Sequence, residues 1–405
     1  TTAKLALVDE GEPHVDYHFE AAREKRFAEG SGFPLNISAI KLIEIGAGGG
    51  SVAHVDDMEL LKVGPQSAGS EPGPVCYDRG GTAPTVTDAD LVLGYLDAKR
   101  FLGGRMQLDV PLAREALNAV GARIGLDAEA TAWGIHDIVN ENMAGAARTH
   151  IAEKGFDARN FSLVATGGAG PVHAVDVARR LRIERVLCPI ASGVGSCLGF
   201  LAAPARSDRS WSKVESLTSF NHGDFGTRLE EAGESISEDL AACGLGKEDI
   251  LWRLSAEVRY LGQGNTVEVL VSSPALTAPA PECVATLFEE EYARLYHKTV
   301  PGGVPEAVTW RVSGSSKSEI KHFRLGMIAE DTSESSGTRR LYRPDVKRFE
   351  DVPVYERYAQ PPGRVLDGPL VMVEPESTLV VPYPAVVTLL GSGAVEVVLR
   401  GEDDG

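Results

Sequence analysis

What is scarce in this chain sets its first limits. Only 5 of the 405 residues are cysteine (Cys76, Cys188, Cys197, Cys243 and Cys283), and no two stand as Cys-x-x-Cys. That spacing argues against a zinc knuckle, and an odd scatter of thiols argues against a disulfide framework. Cys188 and Cys197, in apolar or small-residue surroundings, read as buried thiols of a reducing compartment, so the expected location is cytoplasmic. Positive charge is short as well, with 40 Lys and Arg against 58 Asp and Glu for a formal −18. Nucleic acid and anionic membranes bind clustered cations, so neither is an expected partner. No apolar run approaches the roughly 20 residues of a membrane span. The P-loop lysine, the dinucleotide-binding glycine spacing and any Ser-His-Asp or Cys-His arrangement are missing too.

Glycine, by contrast, is abundant at 44 residues, and four of them fall in the motif Glu44-Ile-Gly-Ala-Gly-Gly-Gly-Ser51. An apolar run at 40–43 precedes it, so the pattern is a strand breaking into a glycine corner. The device recurs as Ala165-Thr-Gly-Gly-Ala-Gly-Pro171, between an apolar strand at 161–164 and a helix expected from Pro171. Without a Cβ, glycine lets successive N–H groups point into one concavity where an anion can sit. Two such corners suggest a nucleotide or phosphorylated intermediate held between two lobes. The candidates are Gly46, Gly48, Gly49, Gly50 and Ser51 on the first, and Gly167, Gly168, Ala169 and Gly170 on the second. His173 lies one turn into the following helix, where a nucleotide would meet the helix dipole. The plainer reading of each corner is a tight turn, and of His173 a cap or a packing residue.

Between the corners lies an unusually long stretch rich in turn formers, of the kind that builds a site. Within it Asp56, Asp88 and Asp90 are candidate Mg²⁺ ligands, because a hard cation on phosphates needs only one or two carboxylates. Thr87 or Asp88 serves equally as N-cap of a helix at 89–96. His54 is placed to touch substrate or to play a structural part. Glu374 and Glu376, further on, read as solvated.

The organisation is that of an α/β protein. Residues 1–205 form the core holding both corners, 206–315 an α+β region, 316–345 a charged, Ser-rich exposed linker, and 346–405 a β-rich cap. Helical spacing of apolar residues predicts helices at 112–126 and 130–154. Strand 161–165, helix 171–181 and strand 185–189 read as a strand–helix–strand unit with parallel strands. Residues 1–8 alternate like a strand already under way, expected to return as a hairpin through 15–19.

Five motifs, in order and spacing, resemble the hydantoinase A/oxoprolinase family. They are the Glu44–Ser51 corner, Val63-Gly-Pro-Gln-Ser-Ala-Gly69, Pro72-Gly-Pro-Val-Cys-Tyr77, Pro84-Thr-Val-Thr-Asp-Ala-Asp90 and Gly167-Gly-Ala-Gly-Pro-Val-His173. The resemblance implies an actin/hexokinase-like ATPase fold with ATP and Mg²⁺ (or Mn²⁺) as cofactors. It implies that Thr1 and Thr2 continue a nucleotide-binding Asp-x-Gly-Gly-Thr segment, belonging to an N-terminal lobe expected ahead of them. Asp88 and Asp90 become the expected metal ligands, and Asp88, Asp56 and His54 the catalytic candidates. The implied partners are a small-molecule carbonyl substrate and hydantoinase B-like and other subunits of a hetero-oligomer. Glu71, Asp78 and Asp90 depart from the family's usual residues, which bears on substrate choice. Lys41-Leu-Ile-Glu-Ile45 and Leu61-Lys-Val-Gly-Pro65 favour a subunit of a biotin-independent, ATP-dependent ketone carboxylase of the acetophenone or acetone type. The alternatives are an ATP-dependent hydrolase of cyclic amides, such as an N-methylhydantoinase or 5-oxoprolinase, and a non-catalytic assembly subunit.

Overall fold

A computed structural model describes residues 2–9, 11–13, 15–16, 19–21, 32–35, 39–271, 276–317 and 334–400. The fold is mixed α/β and divides into two compact units, Thr1–Cys197 with Phe323–Gly405, and Leu198–His322.

The first unit carries four helices that matter for the site: α1 (Val86–Val92), α2 (Val110–Gly121), α3 (Ala128–Glu153) and α4 (Gly170–Leu181). Local chemistry starts two of them where side chains can satisfy free N–H groups. Asp109 accepts from the Leu112 N–H at 2.8 Å ahead of α2, and Asp127 accepts from the Ala130 N–H at 2.8 Å ahead of α3. Along α3 the buried residues Thr131, Ala132, Ile135, His136, Val139, Asn140, Ala144, Ala147 and Ile151 are linked by three- and four-residue steps. That stripe packs toward two hydrophobic clusters, Ile135 and Val139 entering one and Ala144 and Ala147 the other. Fully burying a side chain such as Ile135 or Val139 contributes about 1.5–3 kcal/mol.

Strands Leu163–Val164 and Arg185–Cys188 pair in parallel across α4, the expected strand–helix–strand unit. Arg185–Cys188 then pairs antiparallel with Val395–Leu399, and the sheet continues through Ala385–Leu389 to Val365–Asp367. A second sheet runs Gly337–Arg343, Arg348–Glu356, Leu370–Val373, Thr378–Val381. The C-terminal strands expected to form a separate cap are therefore part of the corner-bearing unit, through a pairing that nothing local in the sequence announces. Part of the expected linker is the strand Gly337–Arg343; residues 318–333 lie outside the described residues. The N-terminal hairpin is present only as the short pair Val8–Asp9 with Glu12–Pro13, and the flanking stretches pair elsewhere. Ala3–Ala6 pairs with Leu42–Ile45, while Val15–Asp16 pairs with Ala39–Ile40. Cys188 is buried as expected, but Cys197 is exposed.

The second unit is a four-stranded antiparallel sheet in the order Arg206–Ser216, Pro305–Ser316, Ile250–Tyr260, Val267–Val271. Its helices His222–Ala241 and Pro281–Tyr296 supply Phe225 and Phe288 to an aromatic core with Trp310 and Tyr260. Its buried charges are paired, Arg311 with Glu257 at 3.3 Å and Glu306 with the half-buried Arg259 at 2.7 Å.

Candidate functional site

Helix α1 is held by a reciprocal cap. Thr85 is the N-cap, its hydroxyl accepting from the Asp88 N–H, and the Asp88 carboxylate accepts in return from the Thr85 N–H at 2.7 Å. The same carboxylate accepts from the Thr85 hydroxyl at 2.8 Å, the Cys76 N–H at 2.7 Å and the Val75 N–H at 3.2 Å. Asp88 is thus fully engaged in fastening the 75–77 turn to α1, at the third helical position rather than at the cap itself. This use leaves it poorly suited to the metal and catalytic parts expected of it.

The first glycine corner leans on this helix. The Thr87 N–H and hydroxyl both donate to the Gly49 carbonyl, at 2.8 and 2.9 Å, and the Gly48 N–H donates to the buried Ser51 hydroxyl at 3.0 Å. The Ala68 N–H donates to the Gly50 carbonyl at 2.9 Å. The Gly49 and Gly50 N–H groups donate to no atom of the described residues. At the second corner, α4 begins behind Ala169 with no side-chain cap; Pro171 has no N–H and the Val172 N–H donates to the Ala169 carbonyl at 3.1 Å, so the Gly170 N–H is the first-turn donor left there.

Gly49, Gly50, Gly168 and Ala169 line one cleft of about 570 Å³, together with Asp90 and the Glu374–Thr378 turn. The two corners, 118 residues apart between Gly50 and Gly168, therefore face the same space. Glu374, expected in solvent, is buried and accepts from Arg357 at 3.1 Å, which fastens that turn. The remaining expected residues lie elsewhere. His54 sits half-buried on the hairpin strand Ser51–Val55, opposite Lys62. Asp56 closes that hairpin, accepting from the Met58 and Leu60 N–H groups at 2.9 Å each; the Leu60 bond is the main one holding its carboxyl below the usual range. Gly46, Gly48, Ser51, Gly167 and Gly170 shape the corners without lining the cleft. Thr2 is exposed ahead of Ala3–Ala6 and does not line the cleft, and Thr1 lies outside the described residues.

Beside the cleft is a buried polar cluster between α1, α3 and α4. His136 places Nδ1 at 2.7 Å from Asp90 Oδ1 and Nε2 at 3.2 Å from Asp176 Oδ2. Burial works to lower the His136 pKa, but the bonds to Asp176 and Asp90 outweigh it and hold the ring protonated, up to about 9. His173 stacks on His136 at 4.8 Å between ring centres. Its Nδ1 meets Asn140 Oδ1 at 2.9 Å, while burial pushes its pKa down to about 4. The Tyr383 hydroxyl donates to Asp176 Oδ1 at 2.5 Å. Of these residues the sequence reading picked out Asp90 and His173 and missed His136, Asn140, Asp176 and Tyr383. Polar residues at i,i+4 on α3 (His136, Asn140) and i,i+3 on α4 (His173, Asp176), each on a face otherwise apolar, are the signal that could have found three of them.

A mixed α/β protein with a glycine-walled cleft and a buried carboxylate–imidazole cluster beside it is the class that fold and site define. The chain belongs to the hydantoinase/oxoprolinase family, whose model matches residues 1–209, with that family's C-terminal domain matching 224–391. It is 33% identical to the acetophenone carboxylase gamma subunit of Aromatoleum aromaticum over 86% of this chain and 49% of that protein. Among solved structures it is similar to a nucleotide-free acetone carboxylase, with a TM-score of 0.77, 26% identity and coverage of 98% of this chain and 57% of that one. It is also similar to the ATP-dependent caprolactamase of Pseudomonas jessenii, with a TM-score of 0.74, 30% identity and coverage of 93% and 55%. The chain thus spans about half the length of the relatives it matches.

Proposed function

We propose that the cleft holds the phosphates of ATP and that the chain works in a subunit that activates a carbonyl oxygen by phosphorylation. The observation that carries this is the meeting of two glycine corners on one cleft, one with free Gly49 and Gly50 N–H groups and one with the uncapped start of α4. Main-chain amides and a helix N-terminus are well matched to a phosphate, and an actin/hexokinase-like lobe would use them so. Phosphoryl transfer needs mainly positioning and charge stabilisation, which fixed amides supply without reorganisation. The accepting oxygen would belong to a ketone enolate or to bicarbonate, and C–C bond formation would follow in an assembly with hydantoinase B-like subunits. Likeness to the acetophenone and acetone carboxylases supports this ketone-carboxylase reading.

A second reading is hydrolysis of a cyclic amide, favoured by the likeness to caprolactamase. There the phosphorylated amide oxygen opens the ring carbon to water. Magnesium would arrive with the nucleotide, yet the residues do not fit it as ligands: Asp88 is saturated and Asp90 lies between two imidazoles, while Mg²⁺ prefers an all-oxygen shell.

The test is calorimetric binding of ATP to the chain and to its purified assembly, followed by product analysis. A carboxylated ketone supports the first reading, and a ring-opened amino acid from a lactam or hydantoin replaces it with the second. No ATP binding to either preparation overturns the nucleotide reading.

A further inference from the structure

The cluster beside the cleft has a defect as a purely protein arrangement. Asn140 donates through Nδ2 to Asp176, at 3.4 Å, which turns its carbonyl oxygen toward His173. His173 must then carry its proton on Nδ1, where it donates to that oxygen. Its Nε2 is left as a lone pair, enclosed, with no hydrogen-bond partner, and it faces Asp90 Oδ2 at 3.5 Å. Two acceptors that face each other in a buried site call for a cation between them. In tetrahedral zinc sites, with ligand distances of about 2.0–2.2 Å, neighbouring nitrogen and oxygen ligands stand about 3.4 Å apart.

The rest of the cluster has the form of a metal site. One ligand atom each from Asp90, His136 and His173 falls within 4.8 Å of the others, and all three residues are buried. Behind each imidazole stands a group that fixes its far nitrogen, Asp176 for His136 and Asn140 for His173. Such outer partners orient ligating histidines and raise their basicity. Charge points the same way. Asp90 and Asp176 bring two negative charges into the buried site, and a divalent ion held by neutral imidazoles offsets both.

We propose that Asp90, His136 and His173 bind one divalent transition-metal ion, zinc being the best-matched occupant. Two imidazoles and one carboxylate select zinc-like ions over magnesium or calcium. Three protein ligands leave zinc a fourth position for water or a carbonyl oxygen. Asp90 belongs both to this set and to the wall of the cleft, so the ion would lie beside the phosphates proposed there.

The experiment uses the full chain, stripped with dipicolinate, without nucleotide, and titrated with Zn²⁺ against a fluorescent chelator. One zinc per chain is expected, with binding weakened about 100-fold or more in His173→Gln and Asp90→Asn and unchanged in His54→Gln. Loading with Co²⁺ should give the visible absorption of a four-coordinate site with nitrogen ligands. Failure of the wild-type chain to bind zinc, absence of that Co²⁺ spectrum, or undiminished zinc affinity in a folded His173→Gln variant overturns the proposal. If His173→Gln does not fold, the wild-type stoichiometry and spectrum decide. ATP takes no part in these measurements, so their failure leaves the nucleotide reading standing, and the reverse also holds.

Discussion

Both glycine corners line the same cleft, but they are held in different ways. The first is locked from within its own neighbourhood: Ser51 ties Gly48, Thr87 ties Gly49, and Ala68 ties Gly50. The second is open. A Cβ built on Gly170 meets nothing within 4 Å, one on Gly168 meets only the Glu376 carbonyl at 3.7 Å, and Ala169 offers α4 no cap. Its support comes from behind, where Gly193 approaches the Glu376 carbonyl so closely that a Cβ would stand 2.3 Å from it. A locked corner keeps its amides aimed whether or not a ligand is present. An open helix start has a donor to give. Together they make one fixed wall and one receptive wall, an arrangement suited to gripping a phosphate chain without moving far.

Breaking the lock at its root should have the largest effect. Asp88→Asn sets an amide among donors that all need an acceptor, with the Val75, Cys76 and Thr85 N–H groups left short. Uncompensated burial of that kind costs about 3 kcal/mol, measured by urea unfolding in the presence of EDTA. A change under 0.5 kcal/mol would return Asp88 to the role of metal ligand. Filling the open corner should come next. At Gly168 the backbone angle is ordinary and an added Cβ meets only an ordinary contact, so the backbone admits Gly168→Val. It should leave the unfolding midpoint in place while weakening ATP binding about 100-fold, near 2.7 kcal/mol. Unaltered ATP affinity in that variant would mean that the second corner does not hold phosphate.

Much of this contrast was legible in the sequence, and the reasons divide cleanly. The corners announce themselves because four glycines in five residues after an apolar run have few other uses. Helices α2, α3 and α4 show their 3.6-residue spacing. What escaped was non-local. The pairing of Val395–Leu399 with Arg185–Cys188 joins stretches about 200 residues apart, and β-rich segments carry no mark of their distant partner. The cluster of Asp90, His136 and His173 is assembled from three helices, so its members look like isolated polar residues on apolar faces until those faces meet. Asp56 was misread for the opposite reason. Its hairpin-closing bonds to Met58 and Leu60 are local, but a carboxylate in a turn and a carboxylate on a metal share the same sequence context.

The smallest effect, and the sharpest probe of the lock, lies in the contact between Gly49 and Thr87. A Cβ on Gly49 would stand 2.8 Å from the Thr87 hydroxyl oxygen, so Gly49→Ala must displace that side chain, at a cost of about 1–2 kcal/mol. Thr87→Ala removes one of two donors to the Gly49 carbonyl and keeps the other, its own N–H, for a cost of about 1 kcal/mol. In the double variant the room made by the second change accommodates the first. Its stability should therefore match Thr87→Ala alone, leaving a coupling equal to the whole cost of Gly49→Ala, about 1–2 kcal/mol, in a double-mutant cycle of urea unfolding. Thr87→Ser offers a control, since it keeps the oxygen and should give no such relief to Gly49→Ala. Simple additivity of Gly49→Ala and Thr87→Ala would show that the first corner is held by its own turn geometry and not by α1, and the contrast with the second corner would shrink to the difference in their caps.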